Sequence, residues 1–128
     1  MATNDANQPK QGRQLALQVT HVLRKTVRFD DSNLSGEVGI LPDGAIILRG
    51  SVYVTTAYNT GTLNVGAKGG DNDEFGSALA LNAQAIVAFD DLAIANAYRA
   101  QETVVTFVRS AAATAGSATI VIEYAVNN

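Results

Sequence analysis

The sequence predicts an all-β protein, a β-sandwich or jelly-roll-like domain over residues 15–128 behind a flexible arm over residues 1–14. Three observations carry this. Several short stretches alternate apolar and polar residues with a period of two, which puts every second side chain on one face of a strand. Clusters of Gly, Asn and Asp separate those stretches at short intervals. No stretch shows the sustained 3.6-residue period of an amphipathic helix, so sheet packed on sheet is left as the way to bury the apolar faces. At 128 residues the chain is one domain long and buries roughly two-thirds of its unfolded surface. That is enough core to need no staple, and the chain has no cysteine.

Residues 1–12 are polar and carry too little apolar area to fold alone. From Leu15 onward Leu15, Leu17, Val19, Leu23, Val27 and Phe29 alternate with Gln18, Thr20, Arg24, Thr26 and Arg28, with breaks at His21 and Lys25. One bent strand or two short ones fit this. A helix competes, because Leu15, Val19, Val22 and Leu23 share a helical stripe, but the Val and Thr content favours strand. "DDSNLSG" (30–36) is loop chemistry. In "LPDG", Pro42 sets the first central φ of a turn that Asp43 and Gly44 complete. On the strand that follows, Ile46, Leu48, Gly50, Val52, Val54, Thr56 and Tyr58 are expected on one face and Arg49, Ser51, Tyr53 and Thr55 on the other. "YNTG" then reads as a hairpin turn into "TLNVG".

Residues 66–77, "GAKGGDNDEFGS", read as a Gly- and acid-rich loop crossing an end of the sandwich. In the Ala-rich stretch 78–100, "AIVAF" reads as a strand and "DDLAIANAY" as either a helical turn or a loop. "TVVTFVR" and "SATIVIEYAV" read as a final hairpin, with Ile120, Ile122, Tyr124 and Val126 on one face.

Formal net charge is −3, unevenly placed. Residues 1–29 hold five basic groups (Lys10, Arg13, Arg24, Lys25 and Arg28) against Asp5, while the remainder holds four basic and eleven acidic groups. The basic leading segment suits either an acidic protein surface or plain solvation. Five cations without interleaved exposed aromatics do not make a nucleic-acid stripe, so no nucleic-acid partner is expected. "MATNDANQPKQGRQ" contains neither a secretory signal nor a membrane span, which leads to the expectation of a soluble chain made in the cytoplasm with no membrane partner.

Catalytic signatures are missing. The absence of cysteine removes a disulfide framework, a thiolate zinc site and a cysteine nucleophile, and leaves the redox compartment open. His21 is the only histidine and no Gly-x-Ser-x-Gly elbow accompanies it, so a role in packing or at the surface is expected. The neighbours Asp30 and Asp31, like Asp90 and Asp91, would point to opposite faces of a strand and so cannot flank one bond. Phosphate-loop and dinucleotide glycine motifs are absent. Asp71, Asp73 and Glu74 in "GGDNDEFG" are weak candidates for holding a hard cation such as calcium, without the spacing of a helix-loop-helix calcium loop. The expectation is a non-enzymatic protein with no catalytic residues, cofactor or metal.

One longer stretch, "VGILPDGAIILRGSVYVTTAYNTGTLNVGA", combines a Gly-x-Leu-Pro-x-Gly-Ala turn, a strand ending Val-x-Thr-Ala-Tyr-Asn and a Gly-Thr-Leu-Asn-Val-Gly strand before an acidic Gly loop. In this it resembles the small β-rich structural proteins of tailed bacteriophage virions, especially the capsid decoration or cement proteins. The likeness covers about residues 26–76, with a weaker echo in "ATIVIEYAV". It implies a protein of the virion surface that binds the outside of an assembled capsid, with the major capsid protein as partner, and reinforces junctions between capsomers as a dimer or trimer. Within that implication, residues 1–14 are the expected docking arm, with Lys10 and Arg13 meeting acidic capsid groups and the arm adding a strand to a neighbour's sheet edge. No residue matches a family binding motif position by position. Two other classes compete: a carbohydrate- or host-surface-binding β module of a phage head or tail, weakened by the absence of Trp, and a small β-barrel enzyme, disfavoured by the missing nucleophile–base pairs.

Overall fold

The computed structural model describes residues 20–126, where the alternating stretches become strands in two antiparallel sheets. In chain order these are β1 (His21–Arg28), β2 (Ser35–Leu41), β3 (Ala45–Thr56), β4 (Thr62–Ala67), β5 (Gly76–Ala80), β6 (Ala85–Ala88), a helical turn α1 (Ile94–Ala97), β7 (Tyr98–Arg99), β8 (Thr103–Arg109) and β9 (Ser117–Val126). The first sheet has the order β1-β9-β3-β6, with β7 also on β3, and the second the order β2-β8-β4-β5. Early and late strands thus interleave in both layers, which is the connectivity of a jelly roll. The arm, with Lys10 and Arg13, lies outside the described residues. No helix among those described is long and apolar enough to cross a membrane.

The inner faces of the two sheets meet in one core. Leu41, Leu63, Val65 and Val105 from the second sheet oppose Val52, Val54, Ile120 and Ile122 from the first, all buried. β1 is a strand, with Leu23 and Val27 turned inward and Arg24, Thr26 and Arg28 outward, so over His21–Arg28 the strand reading holds against the helical one.

Several sequence expectations are corrected. β3 and β4 are not a hairpin, because they belong to different sheets, and the same holds for β8 and β9. Alternation shows that a strand buries one face but not which neighbour it pairs with, so a crossing between layers and a hairpin look alike in sequence. Conversely, residues 66–77 do not cross an end of the sandwich. They join β4 to β5 within one sheet, with Phe75 N donating to Val65 O (2.9 Å) and the Phe75 ring fully buried.

The face assignment on β3 also changes. Its register against β9 slips between Ile47 and Arg49. Before the slip Ala45 and Ile47 are buried, after it Gly50, Val52 and Val54 are, and Leu48 is 53% exposed. A bulge adds one residue to one strand and so exchanges inside for outside, which puts Ile46 and Leu48 off the face that Val52 occupies. β2, with Gly36 and Gly39 interrupting any alternation, was not apparent in the sequence at all. At Gly39 a Cβ would come 2.9 Å from Leu23 Cδ2, so the absence of a side chain lets the edges of the two sheets close.

Candidate functional site

Three places stand out, a groove and a buried pair at opposite ends of the sandwich and a depression on a sheet face. The first is a groove of about 570 Å³ between the β4–β5 connection and residues 98–104. Arg99 organises it. Its Nη1 donates to Glu74 Oε2 (2.6 Å) and Asn96 O (3.0 Å), its Nε donates to Thr103 Oγ1 (3.1 Å), and its guanidinium lies 5.4 Å from the Phe75 ring centroid. Gly44 N donates to Arg99 O (2.7 Å), so the turn after Pro42 locks onto the same residue. Tyr98, Gln101 and Glu102 are exposed on the groove wall, and Lys68 pairs with Glu37 across its rim (3.0 Å).

The three acidic residues singled out in sequence do not converge here. Glu74 is held by Arg99, Asp73 Oδ2 accepts from Ser77 Oγ (3.3 Å), and the main-chain carbonyl of Asp71 accepts from Ala67 N (3.0 Å). Among the described residues no three His, Cys, Asp or Glu side chains are arranged to hold a metal ion. The adjacent aspartates act as local ties: Asp31 Oδ2 accepts from Arg28 N (2.9 Å), Asp30 pairs with the Arg28 side chain (3.3 Å), and Asp90 Oδ1 accepts from Ser77 N (2.9 Å). His21 stacks on Tyr124, with ring centroids 5.4 Å apart.

At the other end, Tyr58 and Arg109 form a pair that sequence reasoning missed. Tyr58 donates its hydroxyl proton to Val27 O (2.5 Å), and its backbone N donates to Leu81 O (2.8 Å). Arg109 is 2% exposed, its guanidinium lies 5.8 Å from the Tyr58 ring centroid, and its Nε and Nη1 have no hydrogen-bond partner. The signal was present in "TVVTFVR", whose alternation puts Arg109 on the same inward parity as Thr103, Val105 and Phe107.

The third surface is the outer face of the first sheet. Arg49, Ser51, Tyr53, Ile86, Val121 and Glu123 line a shallow depression of about 250 Å³, with Arg49 paired to Glu123 at 2.9 Å. Ile86 is 67% exposed, unusually open for an isoleucine on a strand. The groove and this face offer contacts and charge to a partner, whereas the Tyr58–Arg109 pair is buried.

No family model and no curated protein sequence matches the chain. Solved structures do. A chain in the acidic stable capsid structure of Helicobacter pylori bacteriophage KHP30 is similar at TM-score 0.67 and 17% identity, over 86% of this chain and 90% of that one. A chain in the capsid asymmetric unit of cyanophage Pam1 is similar at TM-score 0.61 and 23% identity, over 84% and 85%. A third, in the capsid of Ralstonia phage GP4, is similar at TM-score 0.63 and 17% identity, over 85% and 84%. The chain has the fold of these capsid chains. At such identities the likeness is one of fold, and because it spans most of each capsid chain it takes in both sheets rather than a shared fragment.

Proposed function

We propose that this chain is a non-enzymatic structural protein of a phage virion, a decoration or cement subunit. On this reading it binds the outer surface of an assembled capsid, has the major capsid protein as partner, and stabilises junctions between capsomers as a homo-oligomer. The observation that supports it is the fold shared with chains of three phage capsids over most of their length. The described surfaces fit a protein that acts by contact: Arg49 pairs with Glu123 on the sheet face and Arg99 with Glu74 in the groove. Residues 1–14 are the proposed docking arm, with Lys10 and Arg13 contributing cations. An arm that orders on docking loses conformational entropy, so backbone pairing and contact area with the capsid have to offset that loss.

Co-sedimentation with undecorated capsids of the same virus tests the proposal. Saturable pelleting, lost on removal of residues 1–14, is the expected result. A chain that stays in the supernatant at all concentrations is not a cement subunit. One observation favours a second reading, a carbohydrate- or host-surface-binding module: Tyr98, 48% exposed, stands beside the polar groove wall where a sugar ring could stack. A glycan array separates the two.

A further inference from the structure

Among the described residues the first sheet ends at β6, with no strand on its outer side, and this edge differs from the others. Exposed edges are normally guarded by charge, Pro or bulges, because their unpaired N–H and C=O groups are a template for another strand. β1 carries Arg24, Lys25 and Arg28. β2 carries Glu37 and a register slip between Glu37 and Gly39. β5 has Ala78 at φ 51°, in the left-handed region. The sequence of β6 is Ala-Ile-Val-Ala, with no charge and no Pro, and Ala85, Ile86 and Ala88 are exposed.

The direction of its hydrogen bonds is fixed by Phe89, whose N donates to Gly50 O on β3 (2.9 Å). Main-chain groups alternate in direction along a strand, so Val87 also faces β3, while Ile86 and Ala88 turn their N–H and C=O to the open side. We infer that this edge is an interface for a second copy of the chain, with the two β6 strands paired antiparallel about a twofold axis at Ile86. A twofold makes such pairing antiparallel by symmetry and puts the same surface on both copies. With the axis there, Ile86 meets Ile86 of the second copy and covers its exposed side chain, while Gln84 meets Ala88.

Charge selects this occupant. Around β6 the patch of Ser51, Tyr53, Thr55 and Gln84 is uncharged, and of the charged side chains nearby Arg49 pairs with Glu123 and Asp90 accepts from Ser77 N. A second copy therefore brings no like charge against itself, whereas two β1 edges would oppose their cations. The area is small. A four-residue edge with its flanking side chains falls below the ~1,200–2,000 Å² of a stable interface, so the pair is weak in dilute solution and needs a high local concentration.

The inference extends the homo-oligomer of the proposed function, but its test uses the free protein without capsids, so self-pairing and capsid binding succeed or fail separately. The chain has no cysteine, so Ile86→Cys introduces a single thiol. Directly opposed hydrogen-bonded residues have Cα atoms about 5.5 Å apart, inside the range a disulfide spans. Under mild oxidation Ile86→Cys is expected to form dimers about tenfold faster than Val22→Cys, a comparably exposed site on the charged β1 edge. A mixture of Gln84→Cys and Ala88→Cys chains is expected to cross-link with each other in preference to themselves, read by mass spectrometry. Both sites are exposed, so folding is preserved and is checked by circular dichroism. Ile86→Cys dimerising no faster than Val22→Cys, or Gln84→Cys and Ala88→Cys preferring themselves, overturns the inference.

Discussion

Tyr58 ties three parts of the chain together through single atoms. Its hydroxyl holds Val27 O, its amide holds Leu81 O, and Gly116 packs so tightly on its ring that a Cβ there would run into it. Tyr58→Phe leaves the Val27 carbonyl without this donor, so it is expected to cost about 1–3 kcal/mol, measured by urea unfolding at neutral pH. Burial raises the Tyr58 hydroxyl above its ordinary pKa of 10.0, with Arg109 pulling it back in part. The sign follows: a group whose pKa is raised by folding gives its stabilisation in full below the unfolded value and loses it as pH rises through the folded one. The stability gap between the native chain and Tyr58→Phe is therefore expected to narrow above about pH 10. Arg109 behaves in the opposite way. Two of its nitrogens, Nε and Nη1, are buried without acceptors, so Arg109→Met is expected to be stabilising by about 1 kcal/mol, because removing an unsatisfied buried donor recovers its desolvation cost. A lower denaturation midpoint for Arg109→Met would show that its contact with the Tyr58 ring outweighs that cost.

At the scale of elements, the longer strands other than β2 were legible and their partners were not. β8 and β9 carry a period of two that survives in the fold, β3 carries one on either side of its bulge, and the short helical reading of "DDLAIANAY" matches α1. The faces were legible only between bulges, which is why Val52 and Val54 came out inward and Leu48 did not. Sheet membership depends on long-range pairing, such as His21 with Tyr124, that no local pattern encodes. Of the site, Glu74 was visible as an acid in a loop, but Arg99 was not visible as its partner, since 25 positions separate them. That pair holds the β4–β5 connection against β7. Both side chains are mostly buried, 18% and 23% exposed. Glu74→Ala leaves Arg99 with only neutral acceptors in Thr103 and Asn96, and an expected loss of about 1–3 kcal/mol follows, below the figure for a fully buried pair because some water reaches it. Amide exchange over residues 96–103 should quicken in the same variant. Unchanged exchange there would mean that the turn at Pro42 alone fixes this end.

For the whole molecule, the consequence of the topology is cooperativity. The chain changes sheet at β1 to β2, β2 to β3, β3 to β4, β5 to β6, β7 to β8 and β8 to β9, so neither sheet is a contiguous piece of sequence. A central strand of the first sheet, β9, comes last in chain order among the described strands and bridges β1 and β3. A fragment that stops before Ser117 holds every strand of the second sheet but lacks the strand that joins β1 to β3 in the first, and the core residues Ile120 and Ile122 are on that segment. Native stability should therefore appear in one step. Urea unfolding followed by far-ultraviolet circular dichroism and by tyrosine fluorescence is expected to give coincident transitions, as in a two-state domain. Refolding should be slow for the chain length, on the order of milliseconds to seconds, because loop closure between distant strands precedes the contacts that reward it. A chain truncated before Ser117 is expected to show no cooperative transition at all. Two separated transitions in the full chain would mean that one sheet holds together without the other, and that β9 is less central than its position between β1 and β3 implies.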